Sequence, residues 1–266
     1  MTMMMRWQRA SEQCVFACCC CLLITITTII MSVLPSYYSE AKLDEDKSKK
    51  LIVACSNAKR DLVEKLIEED RNIATTINEV NNQGETAAHA AATGGDHYII
   101  QMLLDNGADV HLSDKQGNTP LMRAAAMGKD NLEAVQVFLS HEPGLLFHQG
   151  TTGKTAYHCA CIISDMDLLE HFTELDEDGR ALKIADSEGN TPWLCAAMPP
   201  IKEEVLAYLL DHGAQINEHN LKHESALLLV ARAGATRAIQ FLLGTAQRRT
   251  HTHVQVRVRD ILIMNE

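Results

Sequence analysis

Aromatic residues are scarce: 2 Trp, 5 Tyr and 5 Phe in 266 residues, or 5%. A chain so poor in rings, yet 46% apolar, must build its core from Ala, Leu, Ile and Val. Such side chains suit closely packed helices better than a sandwich core. Basic residues are outnumbered, 24 Lys and Arg against 35 Asp and Glu, which leaves a net charge of −11. That balance speaks against nucleic-acid binding, which needs a basic face to displace counterions from phosphates. A disulfide framework is also missing. Five of the 9 cysteines crowd together as Cys14, Cys18, Cys19, Cys20 and Cys21, and Cys55, Cys159, Cys161 and Cys195 are scattered. A framework would be dense and regularly spaced, so the scattered four read as reduced thiols packed as small hydrophobes.

Long uncharged runs are absent with one exception. Val15 to Leu34 carries no charge and ends at Pro35. At about 1.5 Å per residue, a helix of that length spans a hydrocarbon core. Residues 1–35 are therefore expected to form an N-terminal hydrophobic helix, either an uncleaved anchor or a signal peptide. Lys42, Lys47, Lys49 and Lys50 follow the segment, against Arg6 and Arg9 before it. By the positive-inside rule this places the remainder of the chain on the cytoplasmic side. Palmitoylation of the cysteine cluster would require the opposite orientation, and the simpler reading takes those cysteines as apolar membrane residues. Residues 36–50 read as a charged linker.

A repeat fills the rest. Four stretches align: Gly84 to Ala92, Gly117 to Ala125, Gly153 to Cys161 and Gly189 to Ala197, with a weaker fifth from His223 to Ala231. Their Thr or Ser positions, Thr86, Thr119, Thr155, Thr191 and Ser225, are 33, 36, 36 and 34 residues apart. Each such residue is expected to cap a helix by accepting from free backbone N–H groups. Pro120 and Pro192 follow at the first helical position, where a missing N–H costs nothing. An alanine pair on the next turn admits a neighbouring helix. Gly95, Gly128 and Gly234 end that helix. A second helix carries Leu103-Leu104, Phe138-Leu139, Leu209-Leu210 and Leu242-Leu243, and turns such as Asp114 to Gly117 precede the next Thr.

These residues resemble the ankyrin repeat family, with its Thr-Pro-Leu-His opening, alanine pair, glycine, leucine pair and Gly-Ala-Asp close. The resemblance covers about residues 50–245. It implies an all-α solenoid of antiparallel helix pairs with β-turn fingers, each repeat burying its neighbour's apolar face. The repeat domain is expected over 51–247, with 51–80 as a degenerate first unit and 248–266 as a non-repeat tail. The third copy has Ile162-Ile163-Ser164 where the glycine turn belongs, and the fourth has Pro199-Pro200. The fifth is so apolar that its end is expected to be frayed, covered by the tail or an oligomer contact. In the tail, Val254, Val256 and Val258 alternate with polar residues as in a strand.

Gly150 to Thr155 mimics a phosphate-binding loop, but the required earlier glycine is His148, and the repeat explains the same residues as a turn and a cap. Cys159 and Cys161 are two apart on a helix, about 200° around it, so they cannot share a metal ion unaided. His219 and His223 fall in an expected loop. The resemblance gives His89 and His158 a role in holding the turn. No enzyme, metal, cofactor or small-molecule substrate is expected.

The family binds proteins through finger tips and the face of the first helices. By slot, the expected binding residues are Lys115, Gln116, Asn118 and Met127; Thr152, Lys154, Ile162 and Ile163; Glu188, Asn190 and Met198; and Arg232. Met127, Ile162, Ile163 and Met198 would form an apolar stripe at the centre of a partner site, unless Ile162 and Ile163 pack inward. The function expected is a protein-interaction scaffold or adaptor on a membrane. A secreted effector, or a fragment of a larger receptor or channel, is the alternative.

Overall fold

In the computed structural model, residues 47–249 are described, with side chains to residue 246. The expected hydrophobic helix at 15–34 and the alternating valines of the tail lie outside the described residues. Among the described residues every regular element is helical, and His219 and Ser225 form an isolated bridge. The first helix, α1, spans 47–56. It claims the closing lysines of the stretch expected as linker, and Ser48 is buried in the fold.

The helices pair as inner and outer members of successive repeats. After α1 come α2 (Arg60–Glu69) and the single turn α3 (Ile73–Thr76). The next three repeats are α4 (Ala87–Gly94) with α5 (His97–Asp105), α6 (Pro120–Ala126) with α7 (Leu132–His141), and α8 (Ala156–Ile163) with α9 (Met166–Leu175). The last two are α10 (Pro192–Ala196) with α11 (Glu203–Asp211), and α12 (Ala226–Arg232) with α13 (Thr236–Arg249). Inner helices pack on inner helices in the order α4, α6, α8, α10, α12. α8 lies between α6 and α10, and it is buried all round from Ala156 to Cys161, as α4 is from Ala87 to Ala92. Small side chains are needed there, which accounts for the alanine pairs. The outer helices contribute the larger ones: Leu103, Leu104, Phe138, Leu139, Leu168, Leu169, Phe172, Leu209 and Leu210 are buried.

Local chemistry sets each helix start. Thr119 and Ser225 accept from the N–H groups of Met122 and Leu228, each at 3.4 Å. Thr86 and Thr155 form capping boxes with His89 and His158. Thr191 departs from this, because its hydroxyl donates instead to Glu218 Oε2 at 2.6 Å. Outer helices α5 and α9 start from Asp96 and Asp165, whose carboxylates accept from helical N–H groups. Gly95 ends α4 in the left-handed conformation, φ 72°. Ser164 takes that conformation in the third repeat, φ 56°. It is held there from outside: its hydroxyl donates to the Pro200 carbonyl at 2.7 Å, and Lys202 Nζ donates to its carbonyl at 2.8 Å.

The fingers stack edge to edge. Lys115 N donates to Gln83 O, Ser187 N to Thr152 O and Leu221 N to Glu188 O, all at 3.0 Å. Within a finger, Asn81, Asp114, Asp186 or Asn220 closes the turn by accepting two N–H groups on its side chain. Gly150 holds this slot in the third finger, where a Cβ would lie 2.0 Å from Gly117 O. The repeat glycine has a second reason beyond its φ. At Gly153, φ +75°, a Cβ would meet Ser187 N at 2.7 Å and the Asp186 carbonyl carbon at 3.0 Å. The next finger's backbone occupies that space. The fifth finger has His223 in the slot, φ 58°. Gly153→Ala should therefore lower unfolding free energy by about 1–3 kcal/mol in urea titration, whereas His223→Gly should change it by less than about 1 kcal/mol.

Candidate protein-binding face

The slots transferred from the family separate into presented and structural residues. At the finger tips Lys115, Gln116 and Glu188 are exposed, and Thr152 and Lys154 are half-buried. Lys222 reaches back to Glu188 at 3.5 Å, so neighbouring tips form an exposed ion pair. Arg232 is exposed on α12 and pairs with Glu224. Asn118 is half-buried, and its carbonyl accepts from His89 Nε2 at 3.0 Å.

Two expectations are corrected. Asn190 is not presented. It is 3% exposed, donates to Asp186 Oδ2 at 3.2 Å and accepts from Asn220 Nδ2 at 3.0 Å, while its carbonyl takes the His158 Nε2 hydrogen. Its amide ties the fourth finger to the fifth. The apolar stripe is broken as well. Ile162, Ile163 and Met198 are half-buried against the core, and Ile163 Cδ1 lies 3.4 Å from where a Gly128 Cβ would stand. With Ser164 holding the turn, the two isoleucines pack inward. Met127, 51% exposed, is left as the presented apolar side chain of the four.

A hollow of about 460 Å³ opens at the N-terminal end of this face, lined in part by Ile52, Gln83, Glu85, Thr93 and Arg123. Arg123 spans two fingers, with its Nη2 2.9 Å from Glu85 Oε1 and its Nε 2.6 Å from Asp114 Oδ2. Burial works against the Asp114 carboxylate. The Asn118 N–H and the Arg123 guanidinium outweigh burial and hold its pKa below the usual range. Nothing in the repeat pattern pointed to Arg123, which fills a slot held by Ala90, Cys159 and Cys195 in other copies. The residue type alone, a charge among small apolar residues, was the available signal.

Among the described residues the four thiols, Cys55, Cys159, Cys161 and Cys195, are buried and unpaired. Burial pushes Cys55 and Cys195 up to about 12 and Cys159 up to about 11, and holds Cys161 well above the usual thiol range. A nucleophile or metal ligand needs the thiolate. Among the described residues no His, Cys, Asp and Glu cluster is arranged to hold a metal ion. A second hollow, about 580 Å³, lies over the other side of the repeats, between Tyr157, Glu174, Asp176, Tyr208 and His212.

His89 and His158 hold the repeats in register. In each, Nδ1 accepts from the N–H of the capping threonine, at 3.2 and 3.1 Å. Nε2 donates to a carbonyl of the next finger. This pattern requires the neutral ring, and burial lowers both pKa values below 6.5. The unfolded chain takes up these protons first. Their contribution to stability is complete above about pH 6.5 and declines as pH falls below it. Met122 and Leu194 occupy the same slot in other repeats. His89→Leu with His158→Leu should lose about 1–3 kcal/mol at pH 7.5 and show a flatter fall in Tm between pH 6.5 and 5 than the parent.

The family model for ankyrin repeats (three copies) matches residues 51–149. Among curated proteins, interferon antagonist OPG040 of vaccinia virus is 32% identical over 90 residues, 34% of this chain and 31% of the relative. The NF-kappa-B inhibitor delta of Mus musculus is 26% identical over 217 residues, 73% of this chain and 65% of the relative. The chain thus spans about a third of the first and just under two thirds of the second. Among solved structures, a chain from the complex of a Bdellovibrio bacteriovorus predatory endopeptidase with an immunity protein superposes with a TM-score of 0.62 at 20% identity, covering 74% of this chain and 98% of the other. An ankyrin repeat protein of known structure gives a TM-score of 0.58 at 21% identity, covering 73% and 96%.

Proposed function

This chain belongs to the ankyrin-repeat family, and from that premise we propose that it is a non-catalytic scaffold or adaptor. It binds a protein partner along its finger tips and inner helices and is tethered to a membrane through residues 15–34, with the repeats on the cytoplasmic side. Ankyrin repeats mediate protein–protein interaction, and the observation that carries the reading to this chain is the row of joined fingers. Backbone hydrogen bonds join the first tip to the second, the third to the fourth and the fourth to the fifth, so Lys115, Gln116, Glu188 and Lys222 are presented on an ordered edge. Such presentation reduces the ordering cost of binding. Met127 supplies an apolar anchor among polar neighbours, the composition from which interfaces draw most of their energy. The combination Lys115→Glu with Met127→Asp, at unchanged Tm, should weaken partner capture at least about tenfold in quantitative crosslinking from the native cell. Undiminished capture would refute this binding face.

The tether rests on the uncharged length of residues 15–34 and on its flanking lysines. Four unpaired, buried thiols in the repeats suit a reducing compartment. Among the described residues no helix is long and apolar enough to cross a membrane, so the tether depends on that segment. The full-length mass and resistance to carbonate extraction are the expected results. A shortened, carbonate-released protein would instead support the secreted reading.

A further inference from the structure

The first repeat holds an apolar groove whose described lining comes entirely from residues 49–66. On α1, Lys49 and Lys50 stand one helical turn before Val53 and Ala54, so the four share a face. Lys59 stands at the start of α2, and Leu62 and Leu66 follow on it, four residues apart. The short link 57–59 makes α1 and α2 antiparallel neighbours. Their two faces enclose about 320 Å³. Val53 is 59% exposed there and Leu62 is 42% exposed, side chains that a repeat buries only when something lies against it.

The charge around the groove is as marked as its apolar wall. Lysines line it at positions 49, 50 and 59, and no carboxylate does, on a chain whose net charge is −11. Because the two helices run in opposite directions, the lysines at their starts mark opposite ends of the apolar strip. The shape limits the occupant. A bilayer presents a flat surface, whereas an amphipathic helix lays side chains spaced i, i+3 and i+4 into a groove of this kind. Lysines at both ends select carboxylates flanking those side chains. The negative remainder of the chain disfavours an acidic partner elsewhere, which fixes where such a partner docks. We propose that this groove docks an acidic amphipathic helix of a protein partner. It uses no finger-tip residue, so it is a second interaction surface beside the finger edge.

Fluorescence anisotropy of the full-length chain with a labelled, stapled helical peptide of leucine and glutamate tests this. Saturable binding that weakens as salt rises is expected, and a matched peptide of leucine and lysine should bind at least about tenfold less tightly. Leu62→Asp should lower affinity for the acidic peptide at least about tenfold, and Lys59→Glu about threefold, both at unchanged Tm. Absence of saturable binding would overturn the proposal, as would binding that both variants leave unchanged or equal binding of the two peptides. Loss of phosphatidylserine-vesicle binding in Leu62→Asp would assign the face to lipid, and loss of self-association in that variant would assign it to a second copy. Either result would overturn the proposal as well.

Discussion

Everything in this molecule depends on the close approach of one repeat to the next. The inner helices α6, α8 and α10 each lie between two others, and neighbouring fingers share backbone hydrogen bonds, so the space between repeats is set by main-chain atoms. Where a finger's backbone lies over the preceding glycine, that residue has no room for a Cβ. Where inner helices meet, alanine and cysteine leave the required clearance. The outer helices carry most of the buried leucine and phenylalanine, among them Leu103, Leu104, Phe138, Leu139 and Phe172. The low aromatic content follows from this geometry.

The polar groups obey the same constraint. Stacking removes the fingers' carbonyls and the helix N-termini from water, and each must find a partner. His89 and His158 satisfy two groups at once, one in their own repeat and one in the next. Asn190, Asn131 and Lys202 do similar work, with Asn131 Nδ2 donating to the buried Ala92 carbonyl at 2.7 Å. These residues occupy positions that look like surface in a single repeat. They become structural only when the next repeat is placed.

That distinction separates the legible part of the site from the rest. Lys115, Gln116 and Glu188 sit at turn tips, whose exposure follows from the turn itself. Asn190 is one residue before a helix cap, and its burial depends on Asn220, 30 residues away. Ile162 and Ile163 were ambiguous for a related reason. Whether they pack inward depends on Ser164 accepting a left-handed conformation, and the partners that hold it there, Pro200 and Lys202, belong to the next repeat. Counted from Asp165 as from Asp96, Phe172 holds the slot of Leu103, and Leu168 and Leu169 hold those of Ile99 and Ile100. Arg123 had no counterpart in any other copy.

Sequence alone determined the repeat: its period, its capping residues, its small-residue face and the near-absence of rings. All of these are local or periodic and survive in a one-dimensional pattern, because helix capping and side-chain volume act within a few residues. Tertiary structure decided which polar residues are presented and which are consumed, and that the expected apolar stripe reduces to Met127. Those outcomes depend on contacts between residues some 30 to 40 positions apart. Only stacking brings such residues together, so no single repeat could have revealed them.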